Sequence, residues 1–220
     1  MCKAHFLLRL APWWCLFALQ VQANPIVLHN TGYQLSAGAH DPSYDITGGP
    51  GGAGDVYVVQ TGGFPFLAQL WTPNSGDTVQ WIAPQDDYRS GNTDLPGVYW
   101  YQTTFDLTGL APSTASITGE WASDNCGEIY LNEAATGQTT GPPPNCLGVR
   151  HPFTLTTGFV AGTNTLAFEV LNLPGGTGNP TGIIVSLSGT ADHAPEPATL
   201  GLLSSGLLGL WLLRRRGPRA

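Results

Sequence analysis

Three groups of side chains in this chain could bind a ligand, hold a metal ion or carry out hydrolysis. The first is the loop QDDYRSGNTDLPG, in which Asp86, Asp87 and Asp94 accompany Arg89. Oxygen-rich loops with Gly and Asn can wrap Ca²⁺, which takes six to eight oxygen ligands. Because the spacing matches no EF-hand, two interpretations stay open, a calcium site at Asp86, Asp87 and Asp94 or a solvated acidic loop.

The second group is aromatic and consists of Trp81, Tyr88, Tyr99, Trp100 and Tyr101. Side chains alternate along a strand, so Tyr99 and Tyr101 share one face and Trp100 lies on the other. One of these faces belongs to the core. An exposed second face would offer a flat ring for stacking on a sugar, and the alternative is that both faces are covered. We take Tyr99, Trp100, Tyr101 and Trp81 as candidates for carbohydrate contact.

The third group is a set of carboxylates, Glu120, Asp124, Glu128 and Glu133. Two carboxyl groups at a suitable separation can hydrolyse a glycosidic bond, but no signal marks any of these four as buried. The sequence has no Gly-x-Ser-x-Gly elbow and no phosphate-binding loop. No two histidines from Asn24 onward have the spacing of metal ligands. These histidines are His29, His40, His151 and His193. We therefore expect a protein that is not an enzyme.

Charge narrows the partners of the stretch from Asn24 to Ala194. It contains fourteen acidic side chains and only two basic ones, Arg89 and Arg150, so its formal net charge is −12. Such a body repels nucleic acid and anionic lipid surfaces. Divalent cations and neutral polymers are the partners that remain compatible with it.

Cys126 and Cys146 are the two cysteines of this stretch. The targeting signals described below indicate export to an oxidising compartment, where the simplest interpretation is one disulfide between them. Closing a loop of about 20 residues stabilises a fold by on the order of 3 kcal/mol in the chain-entropy model.

The pattern of the body is that of strands, because no stretch of a dozen residues keeps a 3.6-residue period. Nine β-rich runs recur at spacings near ten residues, punctuated by turn residues. They are DVYVVQ, FLAQLW, TVQWIA, VYWYQTTFDL, ASITGEWA, EIYLN, HPFTL, TLAFEVLN and GIIVSLSG. This spacing without helices predicts an all-β sandwich or jelly roll in one domain, residues 24–193.

The order of segments in the body resembles the galactose-binding-domain-like jelly roll. The resemblance rests on YQTTFDLTGL, ASDNCGEIYLN, FVAGTNTLAFEVLN and NPTGIIVSLSGTA, and it covers roughly residues 55–191. The Asn-Gly turn of that family is replaced here by Asn132-Glu133. The family occurs in many carbohydrate-binding modules, so the resemblance implies the fold but does not fix a ligand.

The two ends of the chain carry targeting signals. Lys3 and Arg9 precede an apolar run, and the small residues before Asn24 predict a signal peptide, residues 1–23, cleaved between Ala23 and Asn24. At the other end, residues 194–220 contain Pro195, Glu196 and Pro197, an apolar run over 198–213, and an arginine cluster of Arg214, Arg215 and Arg216. Sixteen residues as a helix reach about 24 Å, which is short for a bilayer core of about 30 Å.

The Pro-Glu-Pro triplet, the short apolar helix and the arginine cluster together resemble the PEP-CTERM sorting signal of Gram-negative bacteria. The alternative is an ordinary membrane anchor. The resemblance implies export through the translocon and signal peptidase, transient retention at the inner membrane and processing by an exosortase. It also implies association with exopolysaccharide or biofilm. We therefore expect an exported surface or matrix protein that contacts carbohydrate; a purely structural or adhesive protein is second and a glycan-active enzyme third.

Overall fold

The computed structural model describes residues 23–88, 91–142, 145–176, 178–194 and 199–215, and this part of the chain is built from antiparallel strands. The strands are β1 (Ala23–Pro25), β2 (His40–Gly48), β3 (Gly54–Val58), β4 (Ile82–Ala83), β5 (Gly97–Asp106), β6 (Ser116–Asp124), β7 (Cys126–Leu131), β8 (Ala134–Thr139), β9 (His151–Leu155), β10 (Thr163–Asn172) and β11 (Gly182–Asp192). Two helices accompany them, α1 (Asn145–Gly148) and α2 (Thr199–Arg215), with one 3₁₀ turn at Pro112–Thr114.

The strands form one large sheet in the order β8-β7-β10-β5-β2-β3-β4-β11-β6-β9, with β1 paired to β11. The sheet curls until its end strands β8 and β9 line a common cleft, so it is nearly closed into a barrel or sandwich. This confirms the all-β prediction, and the arrangement is consistent with a jelly-roll-like fold.

The alternation of side chains along β5 and β10 places the core. On β5, Tyr99, Tyr101 and Phe105 are buried, while their neighbours Trp100 and Gln102 are partly exposed on the opposite face. β10 alternates in the same way and buries three of its apolar side chains, Leu166, Phe168 and Val170. Every second residue of β5 and β10 thus contributes to the core between the two halves of the sheet. This is expected for an antiparallel sheet with one solvent-exposed face.

Seven of the nine predicted runs are strands, and two are corrected by the structure. The run from Phe66 lies in turns, and of the run from Thr78 only Ile82–Ala83 is a strand. Conversely, β2 and β8 were not expected. β2 contains a proline and a register shift between His40 and Asp45, and β8 is made of small and polar residues, so neither carries a strong β-pattern.

The two ends of the domain lie side by side, because β1 pairs with the end of β11. Ala23 is opposite Asp192, and Asn24 is opposite Ala191. Beyond the domain, α2 ends at Arg215, whose guanidinium lies 3.7 Å from the centre of the Trp211 ring. The signal peptide before Ala23, the triplet Pro195, Glu196 and Pro197, and Arg216 lie outside the described residues. Within the described ranges, no helix combines the length and the apolar character needed to cross a membrane.

Candidate ligand-binding site

A cleft of about 340 Å³ opens on the outer face of the sheet formed by β5, β10 and β7. The residues that line it are Trp100, Gln102, Tyr130, Glu133, Thr165 and Ala167. The rings of Trp100 and Tyr130 meet edge to face, with centroids 4.9 Å apart and planes at 71°. Both side chains are only partly buried, so the sheet presents an aromatic pair to solvent.

The register of the strands explains how this cleft forms. Gln102, Ala167 and Tyr130 follow one another across β5, β10 and β7, so their side chains point to the same face. Trp100 lies two residues before Gln102 and is opposite Glu169 on β10. Ala167 is small, and it leaves a depression between the larger side chains on its two sides. The cleft therefore follows from the placement of one alanine between longer neighbours.

Three polar side chains of this cleft are without a partner in the part of the chain that the structure describes. Among the described residues, neither the amide of Gln102, the carboxylate of Glu133 nor the hydroxyl of Thr165 makes a hydrogen bond or an ion pair. The Glu169 carboxylate lies beside them, and its interaction with the Tyr130 hydroxyl raises the pKa of Tyr130. An aromatic pair with a few convergent polar groups is the usual composition of a ligand site.

The Asp94 carboxylate is already occupied by hydrogen-bond donors of the protein. Asp94 is buried, and its carboxylate accepts hydrogen bonds from the Tyr88 hydroxyl, from the Gln85 amide at 2.7 Å and from the Thr181 backbone N–H at 3.0 Å. Asp86 instead accepts from the Gln60 amide at 2.7 Å. Within the described ranges, Asp86, Asp87 and Asp94 do not form a group whose ligand atoms all lie within 4.8 Å of one another. A calcium ion at this loop stays a prediction.

Asp124 belongs to the same buried network as Asp94. Its carboxylate accepts a hydrogen bond from the Trp71 indole at 2.7 Å, and its backbone carbonyl accepts one from the Thr181 hydroxyl at 2.8 Å. Burial raises the pKa of Asp124 to about 6; the Trp71 hydrogen bond lowers it and the nearby Asp94 raises it. Burial likewise raises the pKa of Tyr88 far above its usual range, and the charge of Asp94 adds to this.

Metal-ligating atoms do approach one another elsewhere on the surface. In the described ranges, one group of three places its ligand atoms within 4.8 Å of one another, and it consists of His40, Asp45 and Asp55. All three side chains are exposed, and His40 Nε2 lies 3.8 Å from a carboxylate oxygen of Asp55. The sequence did not indicate this grouping, because it depends on the register shift in β2.

Of the four aromatic residues expected to contact carbohydrate, Trp100 is the one on the outer face. Tyr99, Tyr101 and Trp81 are 4 %, 0 % and 0 % exposed, so they pack in the core and the expected contact role is corrected for them. Trp81 stacks on Trp71 with centroids 4.1 Å apart. The residues that complete the cleft were missed, because Tyr130, Gln102 and Ala167 come together only through strand pairing.

The four carboxylates considered for hydrolysis are divided among three places. Glu120 pairs with Arg150 at 3.1 Å where β6 meets β9, and Asp124 is buried. Glu128 and Glu133 lie on the outer face near Tyr130, where Glu128 accepts a hydrogen bond from the Gly137 backbone at 3.0 Å. The group as predicted from sequence therefore does not share one pocket.

The predicted disulfide is confirmed. Cys126 and Cys146 are bonded, with Cα atoms 5.0 Å apart, and Cys146 is fully buried. The bridge ties the start of β7, the strand that carries Tyr130, to α1.

The structure is a β-sandwich with an outer cleft. Its disulfide is typical of proteins that are exported to an oxidising compartment. Residues 193–216 match the family model of the PEP-CTERM protein-sorting motif. The chain therefore carries this motif, which implies export, transient membrane anchoring and processing by an exosortase. Among curated proteins, none is similar to this chain.

Proposed function

We propose that the exported domain binds polysaccharide through the outer cleft and acts by binding rather than by catalysis. The observation that carries this proposal is the pairing of Trp100 and Tyr130 beside polar side chains for which the described residues offer no partner. Sugar rings have an apolar C–H face that packs on aromatic rings, and their hydroxyls need donors and acceptors at the rim. Gln102, Thr165 and Glu133 supply such groups.

The location of the protein fits this activity. The sorting motif implies delivery outside the cytoplasm, and we propose the surface or extracellular matrix of a Gram-negative bacterium, reached through the translocon and signal peptidase. At that location, we propose that the polymer bound by the domain is the exopolysaccharide of a biofilm. An aromatic pair on a solvent-exposed face of a sheet commonly marks the place where a partner binds.

The test is binding of the full chain, purified in detergent, to a glycan array and to the exopolysaccharide of its host. We expect Trp100→Ala to weaken binding at least about tenfold, since it removes the larger ring of the pair. Tyr33→Ala is the matched control, because Tyr33 is 47 % exposed and does not line the cleft.

Other outcomes select the remaining functions. Absence of binding by a folded wild-type chain, or equal binding by the two variants, would contradict the proposal and favour a structural or adhesive protein. Release of reducing ends from the polymer during the assay would identify an enzyme.

A further inference from the structure

The outer face around the cleft is acidic. Glu133 lines the cleft, Glu169 is opposite Trp100, and Glu128 is opposite Glu169 on the next strand. Two further carboxylates lie at one end of the adjacent cross-strand row, which contains Tyr130, Ala167 and Gln102, because Asp45 is opposite Gln102 and Asp55 is opposite Asp45. Four steps between strands of about 4.8 Å make this row roughly 19 Å long, from β3 to β7.

Positive charge is scarce near these carboxylates. Arg150 is the one lysine or arginine described between Ala23 and Ala194, and it is bonded to Glu120 at 3.1 Å and to the Pro73 carbonyl at 2.9 Å, in the other half of the sheet. Of the described histidines, His40 lies 3.8 Å from Asp55 at the far end of the row. A ligand with carboxylates or sulfates would therefore be repelled by this face, whereas a cation would be attracted.

The backbone at Glu133 is strained in a way that indicates a role for its side chain. Asn132 and Glu133 form the two-residue turn between β7 and β8, with φ of +51° and +68°. Such turns favour Gly at the second position, because a side chain there is disfavoured when φ is positive. Glu occupies this position, and its carboxylate reaches the cleft without a partner among the described residues. We take the retention of a side chain at this unfavourable φ, beside the cleft, as support for a role of Glu133 there.

The chemistry of the cleft combines two features that both favour a cation. Rings of Trp and Tyr attract ammonium groups through their negative faces, and carboxylates form strong charge-assisted hydrogen bonds with them. From this combination we infer that the cleft selects sugars that carry a protonated amine, so that its polymer is built of amino sugars with free amino groups. This inference rests on the proposed polysaccharide binding and names its ligand class.

The test compares three probes of equal length with the full chain in detergent: glucosamine oligomers, their N-acetylated counterparts and oligouronates. The pH is chosen so that the free amines are protonated. We expect the glucosamine oligomers to bind at least tenfold more tightly than the acetylated ones, and the oligouronates most weakly. Affinity for the glucosamine oligomers should fall as salt is added.

Variants separate a specific site from general attraction to an acidic protein. Glu133→Gln and Glu169→Gln should each lower the affinity for the free-amine probe severalfold and leave the affinity for the acetylated probe nearly unchanged. Asp77→Asn is the matched control, since it removes one exposed charge outside the cleft. Glu133→Gly should raise the melting temperature, because it relieves the positive φ, while weakening binding of the free-amine probe.

The outcomes distinguish the two proposals. Equal affinity for acetylated and free-amine probes, or an equal loss in the Asp77→Asn variant, would overturn the selection of amines and leave polysaccharide binding intact. Failure of the folded chain to bind any probe or host polymer would overturn both. A Glu133→Gly variant that is more stable and binds equally well would remove Glu133 from the site.

Discussion

Two acidic regions of this protein use their carboxylates in opposite ways. Asp94 and Asp124 are buried and accept hydrogen bonds from Tyr88, Gln85, Thr181 and Trp71. Glu133, by contrast, is exposed at the outer cleft and has no partner among the described residues. The buried carboxylates are committed to holding loops and strands together, because buried acceptors are stable only when bonded. The exposed carboxylate is free to meet a ligand.

The largest expected effect comes from removing a buried acceptor. Asp94→Ala would leave the Thr181 N–H buried without a partner and the Tyr88 hydroxyl with only its 3.4 Å bond to the Thr181 carbonyl. We therefore expect a loss of about 3 kcal/mol or more in the free energy of unfolding. Glu133→Gln should change that free energy by less than about 0.5 kcal/mol. Chemical denaturation followed by tryptophan fluorescence measures both, and similar losses in the two variants would remove the distinction between the regions.

The disulfide lies between the two regions, because Cys126 follows the Asp124–Asn125 pair and begins the strand that carries Tyr130. Replacing Cys126 and Cys146 together by Ser should cost on the order of 3 kcal/mol, as estimated for a loop of this length. Polysaccharide binding should persist at temperatures where the variant stays folded, since neither cysteine lines the cleft. A variant that melts with the wild type would show that the bridge adds little to the fold.

The smallest of these effects is the pH dependence contributed by Asp124. Its pKa is about 6 in the folded chain against an ordinary value of 3.8, so the folded state holds the proton more tightly than the unfolded chain. Its contribution to stability is therefore fully present below about pH 4 and is lost as the pH rises through about 6.

Comparison with Asp124→Asn isolates this contribution. Relative to the Asn variant, the wild type should lose on the order of 2 kcal/mol of unfolding free energy between about pH 4 and pH 7. Thermal unfolding of both chains over this range provides the measurement. A constant difference would mean that Asp124 titrates as an exposed carboxyl does.

Sequence predicted the fold better than it predicted the site, and the reason is the range of the contacts involved. Alternation along a single strand is a local signal, so β5 and β10 and the opposite faces of Tyr99 and Trp100 were predictable. The disulfide was predictable from the count of two cysteines in an exported body. Neither inference needed to know which strands are neighbours.

The cleft depends on neighbours that the sequence does not specify. Tyr130 meets Trp100 only because β10 lies between their strands and has a small residue at position 167. Asp94 looked like a solvated ligand because it stands in a loop rich in Gly and Asn; its burial depends on Thr181, 87 positions later in the chain. One local signal could have pointed to the site, namely the Glu at a turn position where Gly is preferred.

From the pairing of β1 with β11 we infer the order of two steps in maturation, signal-peptide cleavage and closure of the sandwich. Ala23 and Asn24, which flank the predicted signal-peptide cleavage point, are hydrogen-bonded neighbours of Asp192 and Ala191. A peptidase needs an extended, unpaired segment, and β11 is nearly the last part of the domain to leave the ribosome and cross the membrane. If the predicted signal peptide is cleaved between Ala23 and Asn24, we expect the cleavage to precede closure of the sandwich, because β1 is afterwards paired with β11.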